Sequence, residues 1–164
     1  MKERPIIFSA PMVRAILAGT KVQTRFVLGC PYGQPGDRLW VREAWARDDE
    51  DGQLMYRADV GRDLCADAWR PSIHMPRWAS RITLEVTAVR VERLQDISEA
   101  DAQAEGVIPK WEPGCSGRLM DAFGGFSFRP AASAYAELWE QINGPGAWDA
   151  NPWVWVVEFK RVTA

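Results

Sequence analysis

The sequence predicts an α+β domain: a small mixed β-barrel with two to three flanking helices and long loop insertions. Three observations carry this. Short runs of alternating apolar residues recur between turns rich in Gly, Pro and Asp, the period of half-buried strands. Few segments carry the 3.6-residue period of a helix, and they interrupt the strands without regular βαβ alternation. The final run, 153–162, is strongly apolar at Val154, Trp155, Val156, Val157 and Phe159, which demands a central place in the sheet.

The chain has 164 residues, 47% of them apolar, enough for one domain over 1–164 with its own core. No internal repeat or interdomain linker breaks it. In chain order, Pro5 to Phe8 reads as an opening strand. Pro11 to Ala18 reads as a helix, with Ser9 placed to cap it and Gly19 to stop it. Gly33 to Asp37 is a turn. Arg38 to Trp45 follows as a strand with Leu39, Val41 and Glu43 on one face. Leu54 to Ala58 is a short strand, and Asp59 to Pro76 a loop. Arg81 to Arg93 is the clearest strand. Its alternation changes phase after Ala88, and a bulge near Ala88-Val89 would return Val89 and Val91 to the core side. Ser98 caps a short helix to Glu105, ended by Gly106. Residues 108–130 read as irregular, an insertion or lid. Ala131 to Ile142 is a helix with Tyr135, Leu138, Trp139 and Ile142 on one stripe.

Charge and composition exclude several functions. A net charge of -2 argues against coating duplex nucleic acid by bulk charge. Cys30, Cys65 and Cys115 fit neither a CxxC pattern nor a disulfide framework, which suits a reducing cytoplasm. No run of about 18 apolar residues suggests a membrane span, so a soluble protein with no membrane contact is expected. His74 is the sole histidine, which argues against a His-based zinc site. No metal or other cofactor is expected.

The most informative stretch is Ile16-Leu17-Ala18-Gly19-Thr20-Lys21-Val22-Gln23-Thr24-Arg25. A helix-like run stops at a glycine, then presents an amine, a hydroxyl and a guanidinium. These are the parts of a small nucleophilic site or of a phosphate grip. They are equally the parts of a solvated helix end. Lys21 and Thr24 would face each other on a helix but point to opposite faces of a regular strand, so a shared site requires a turn or bulge after Gly19. A second stretch, Trp69 to Arg81, interleaves Arg, Trp and His without helical or strand period. That mix suits a nucleotide, with guanidinium to phosphate and indole to base, or a structural loop with Trp78 in the core. His74, Arg77, Trp78 and Arg81 are its candidate binding residues. Arg42 and Glu43 either line a pocket mouth or sit on a solvated strand edge. Nine tryptophans are mostly core, with one or two free to stack on a base; Trp45 and Trp153 join Trp78 as candidates.

The ordered set of features resembles the ASCH family, whose fold is a PUA-like β-barrel. The set comprises the helix ending Ile16-Leu17-Ala18-Gly19, then Thr20-Lys21 and Thr24-Arg25. It continues with the Pro35-Gly36-Asp37 turn and strand, the long strand from Ile82 to Val91, Ile97 to Gly106, and the closing Trp155 to Lys160. Residues 46–76 and 108–150 look like additions to the minimal domain. Size and the Trp-rich strand Leu39 to Trp45 are similar to phage and prophage members. The resemblance implies an amidohydrolase that removes the acetyl group from N4-acetylcytidine. Lys21, Thr24 and Glu105 match its catalytic residues by position and type. The Val22-Gln23 spacer and the long additions depart from the minimal enzymes. In such a site Thr24 is the nucleophile and a buried lysine takes its proton. Glu105 protonates the leaving nitrogen, and Arg25 or backbone N–H groups hold the oxyanion. The implied partner is a nucleoside, a nucleotide or single-stranded RNA. A non-catalytic RNA or modified-base reader, or a ribonuclease, would use the same cleft.

Overall fold

The computed structural model describes residues 1–27, 33–47, 51–60, 69–113 and 126–162. Its strands are β1 (Glu3–Ile7), β2 (Gln23–Val27), β3 (Arg38–Arg42), β4 (Trp45–Arg47), β5 (Leu54–Tyr56), β6 (Thr83–Arg93), β7 (Lys110–Pro113), β8 (Phe126–Arg129) and β9 (Trp153–Val162). Its helices are α1 (Ala10–Leu17), α2 (Glu99–Ala104) and α3 (Ala131–Asn143). Five strands form one mixed sheet in the order β1-β3-β6-β9-β2. β1 and β3 are parallel, and the other pairs are antiparallel. β4 pairs with β5, and β7 with β8, as separate two-stranded ladders. The expected α+β mixed sheet is present, but its described ladder ends at β1 and β2 instead of closing into a barrel.

β9 shows why its sequence is almost uninterrupted in apolar residues. It lies between β6 and β2. Val157 and Phe159 pack into one core with Ile6, Val13, Ile16, Leu39 and Leu84. Val154 and Val156 pack into a second with Leu94, Ala102, Tyr135 and Trp139. Alternate residues of a strand point to opposite faces, so β9 is buried on both. α1 covers one face; α2 and α3 cover the other.

β6 carries the expected irregularity, displaced by a residue or two: its register against β9 shifts between Val86 and Ala88. Ile82, Leu84 and Val86 are buried before the shift, and Val89 packs against the first core after it. Val91 stays 43% exposed because the first core does not extend past Val89 on this strand. The run Arg38 to Trp45 breaks in two at Glu43 and Ala44. After it the chain leaves the sheet to make the β4–β5 hairpin. Residues 108–130 are not wholly irregular: β7 and β8 pair from Lys110↔Arg129 to Pro113↔Phe126. The middle of that segment and all three cysteines lie outside the described residues. No helix among the described residues is long and apolar enough to cross a membrane.

The caps place the helices. Ser9 occupies the N-cap position of α1 without a side-chain capping bond, and Gly19 at φ +77° ends the helix run. Ser98 Oγ accepts the Asp101 N–H at 3.1 Å and opens α2. Glu99 then reaches to the first turn of α3, accepting the N–H groups of Ala131 at 2.7 Å and Ala132 at 3.0 Å. One carboxylate thus ties the start of α3 to α2.

Candidate active site

Two odd-numbered residues of β2 and the lysine just before the strand converge on α2. Gln23 Nε2 donates to the Asp101 carbonyl at 2.8 Å, and Arg25 reaches Glu105 and Glu92. Lys21 precedes the strand and forms an antiparallel bridge with Glu105, while Val22 N–H bonds the Ala104 carbonyl at 2.8 Å. The chain after Gly19 is therefore zipped against the end of α2. Gly106 permits this approach. A Cβ there would lie 2.9 Å from Ala15 Cβ and 3.2 Å from Lys21 Cβ, and the residue sits at φ +89°.

Lys21 is 2% exposed. Its Nζ donates to Glu105 Oε2 at 2.8 Å, the Glu105 carbonyl at 3.0 Å and the Gln23 carbonyl at 2.9 Å. All three of its N–H bonds are engaged, one of them at the peptide that joins Gln23 to Thr24. The other carboxylate oxygen of Glu105 accepts Arg25 Nη1 at 3.0 Å. Arg25 Nη2 and Nε both bond Glu92 Oε1, at 2.6 and 3.2 Å, and Nη2 lies 3.6 Å from Asp101 Oδ2. The buried cations and carboxylates therefore neutralise one another, as buried charge requires.

Beside this network is a cavity of about 530 Å³. Ser9 and Met12 border it from α1, Tyr135, Leu138 and Trp139 from α3, and Thr24 to Val27 from β2. Glu105 forms part of its wall. Four consecutive β2 residues line it because β2 is the last strand of the sheet among the described residues and its outer edge borders the space. The Val22 carbonyl accepts Phe159 N–H at 2.8 Å, which puts Val22, Thr24 and Phe26 among the residues hydrogen-bonded to β9. The N–H of Arg25 is consequently turned outward. Thr24 is 6% exposed, and its hydroxyl has no hydrogen-bond partner among the described residues. Tyr135 is 5% exposed and its phenol likewise has none. The ring of Tyr135 lies 5.9 Å from the Arg25 guanidinium carbon. Burial, and the charge of Glu105 after it, push the Tyr135 phenol well above its ordinary range.

Thr24, Arg25 and Glu105 thus line one cavity, and Lys21, which does not line it, is buried behind its wall on Glu105. The remaining binding candidates do not line it. Glu43 is 2% exposed and holds Arg81 Nε at 2.9 Å and Nη2 at 3.1 Å. Arg42 donates to the carbonyls of Met75 and Ile73 and lies over Trp40. Trp45 is buried, edge-on to Trp78 with centroids 5.8 Å apart. His74 is exposed on a short 3-10 turn. Arg77 is paired with Glu3 at 2.7 Å. Trp78 is 64% exposed, outside the core. Trp153 is half exposed, with Arg93 stacked 4.5 Å from its ring. Among the described residues no group of three or more His, Cys, Asp or Glu is arranged around a metal position.

Sequence reasoning missed Tyr135, Glu92 and Asp101. Tyr135 shares the apolar stripe of α3, which reads as core. Glu92 and Asp101 alternate with apolar neighbours, which reads as a solvated face.

No family model matches the chain, and neither does any curated protein. Among solved structures, an ASCH domain from Lactobacillus crispatus JV V101 aligns with a TM-score of 0.52 at 12% identity. The alignment covers 98% of this chain and 79% of that one. A DUF984-family protein from Enterococcus faecalis V583 aligns with a TM-score of 0.48 at 12% identity, over 99% and 76% of the two chains.

Proposed function

We propose that this chain, which has the fold of an ASCH domain, hydrolyses the amide of N4-acetylcytidine or a related N-acylated cytosine nucleoside or nucleotide. One observation carries the reading. A buried, unpartnered hydroxyl, Thr24, faces a cavity of suitable size beside a Lys21–Glu105 pair 2.8 Å apart. Buried polar groups are almost always hydrogen-bonded, so an open hydroxyl of this kind suits a group that meets a ligand.

The chemistry balances with these side chains. Lys21 passes a proton to Glu105 Oε2 and becomes an amine. It then takes the Thr24 proton as Thr24 Oγ1 bonds to the acyl carbon. The carbonyl electron pair moves onto oxygen. When it returns, the C–N bond breaks and the leaving nitrogen takes the proton held by Glu105. Water then attacks the acyl-threonine ester and gives one proton to Glu105. Proton return through Lys21 to Thr24 releases the acid and restores the starting pair. The apolar wall of Phe8, Phe26, Leu138 and Trp139 gives a flat base a dry surface.

The test is to follow cytidine release from N4-acetylcytidine by the purified protein and by Thr24→Val. Release that vanishes in the folded variant supports the reading. No release from the folded parent protein rejects it.

A second reading is favoured by a different observation. Trp78 and Ile73 are exposed, with Arg42, Arg70 and Arg77 nearby. This is the character of a platform for single-stranded RNA. A reader or a ribonuclease built on it would tolerate Thr24→Val and lose binding on Trp78→Ala.

A further inference from the structure

We infer that Tyr135 is a further catalytic residue of this site, donating its phenolic hydrogen to the substrate acyl oxygen as that oxygen becomes negatively charged. The inference rests on the amide-cleavage reading above.

Elimination leads to it. Arg25 is the expected oxyanion donor, but its side chain is fully buried, with Nη1 held by Glu105 and Nε and Nη2 by Glu92. Lys21 has no donor left. Thr24 is the nucleophile. The Trp139 indole N–H is sealed from the cavity, whereas the Tyr135 hydroxyl is not among the sealed, unpartnered side-chain atoms. Besides Thr24, two hydroxyl residues line the cavity, Ser9 and Tyr135, and Tyr135 is the one that lies against the Arg25–Glu105 pair, with its ring 5.9 Å from the Arg25 guanidinium and its hydroxyl uncommitted.

Its placement is rigid. Glu99 fixes the start of α3 one turn before Tyr135. The Arg25 guanidinium holds one side of the ring, and Trp139 and Trp148 pack at 6.2 and 6.4 Å. Such preorganisation is what makes an oxyanion donor effective, since nothing has to reorganise during the reaction. Burial keeps the phenol protonated, so it donates without ever surrendering its hydrogen. As Thr24 Oγ1 adds to the acyl carbon, the carbonyl pair moves to oxygen and the Tyr135 O–H hydrogen bond shortens onto it. As the C–N bond breaks the pair returns and Tyr135 is unchanged. The outward N–H of Arg25, next in sequence to the nucleophile, is placed as the companion donor.

The test compares kcat and KM for cytidine release by the parent protein and by Tyr135→Phe, with a denaturant melt of each. Phenylalanine keeps the ring against Arg25, so the melts should coincide. The expected result is a fall of about 10²–10³-fold in kcat with KM little changed. The pH–rate profile should keep its shape, because the phenol does not titrate. An unchanged kcat, a loss confined to KM, or an alkaline limb that disappears in Tyr135→Phe would overturn the inference and leave the amide-cleavage reading standing. No release from the folded parent protein overturns both.

Discussion

Two regions of this molecule are built from the same parts. In one, Arg25 joins Glu105 and Glu92 and lies over the ring of Tyr135. In the other, Arg81 joins Glu43 and Asp59 and lies 4.0 Å from the ring of Tyr56. Each has a glutamate that is almost fully buried. The difference is what remains unsatisfied. Tyr56 donates its hydroxyl to the Ala79 carbonyl at 2.9 Å, and the Arg81 side chain reaches water at 24% exposure. That network is complete and holds the β4–β5 hairpin against the start of β6. The Arg25 network ends in two open hydroxyls, Thr24 and Tyr135, on a cavity. A buried ion network is thus no mark of a site; hydroxyls left open on a cavity beside it are.

Deleting the buried charge in each region tests the comparison most severely. Glu105→Gln removes the carboxylate shared by Lys21 and Arg25 and leaves Lys21 buried with no anionic partner among the described residues, and we expect it to cost about 3–5 kcal/mol in urea unfolding. Glu43→Gln should cost less, about 1–3 kcal/mol, because Arg81 retains Asp59 and solvent. The reverse order would break the comparison. Thr24→Val sharpens it from the other side. It removes no hydrogen bond made among the described residues, so stability should stay within about 1 kcal/mol while cytidine release falls about 10³-fold or more. Arg81→Met should leave the rate untouched. Trp78→Ala should cost less than about 1.5 kcal/mol, the worth of its contact with Trp45. A fluorescence titration with single-stranded RNA would show whether the exposed face loses affinity with it.

The smallest effect is on the acid side. Glu99 is held below the usual glutamate value by the Ala132 and Ala131 N–H groups. For Asp101 burial acts in the opposite direction, but the Ser98 hydroxyl, the Gln23 amide and the charges of Arg90 and Arg25 outweigh it, and its pKa is also lowered. A folded-state pKa below the unfolded value adds stability that is present above the unfolded value and is lost as pH falls through the folded one. The melting temperature should therefore begin to drop near pH 4.5, the ordinary glutamate value. It should keep dropping below that, and Glu99→Gln should flatten the slope.

Much of the first region was legible because its signals are local. Gly19 and Gly106 mark helix ends, Ser98 marks a helix start, and Lys21 and Thr24 stand out just after Gly19, whereas Glu105 is singled out only by the resemblance to the ASCH family. β9 announced its central position through its unbroken apolar run. The second region was less legible for a physical reason. Its Arg and Trp residues read as ligand-binding groups, yet Arg77 pairs with Glu3, 74 positions away, and Arg42 spends its donors on main-chain carbonyls more than 30 positions on. Composition cannot reveal such partners. Tyr135 was hidden for the converse reason: its ring follows the core stripe of α3, and only the packed structure separates a buried ring from an open hydroxyl.

The outer edge of β2 has a consequence for how such a protein diversifies. Part of the cavity wall is main chain, and main chain offers no side chain to replace. The network behind it is also hard to vary, since each charge is matched. Substitutions that change which molecule fits then fall most readily on α1 and α3, at Met12, Leu138 or Ile142, while the main chain of the strand stays the same. Relatives of this chain should differ in what they accept mostly through those two helices, and should keep β2 as a fixed frame.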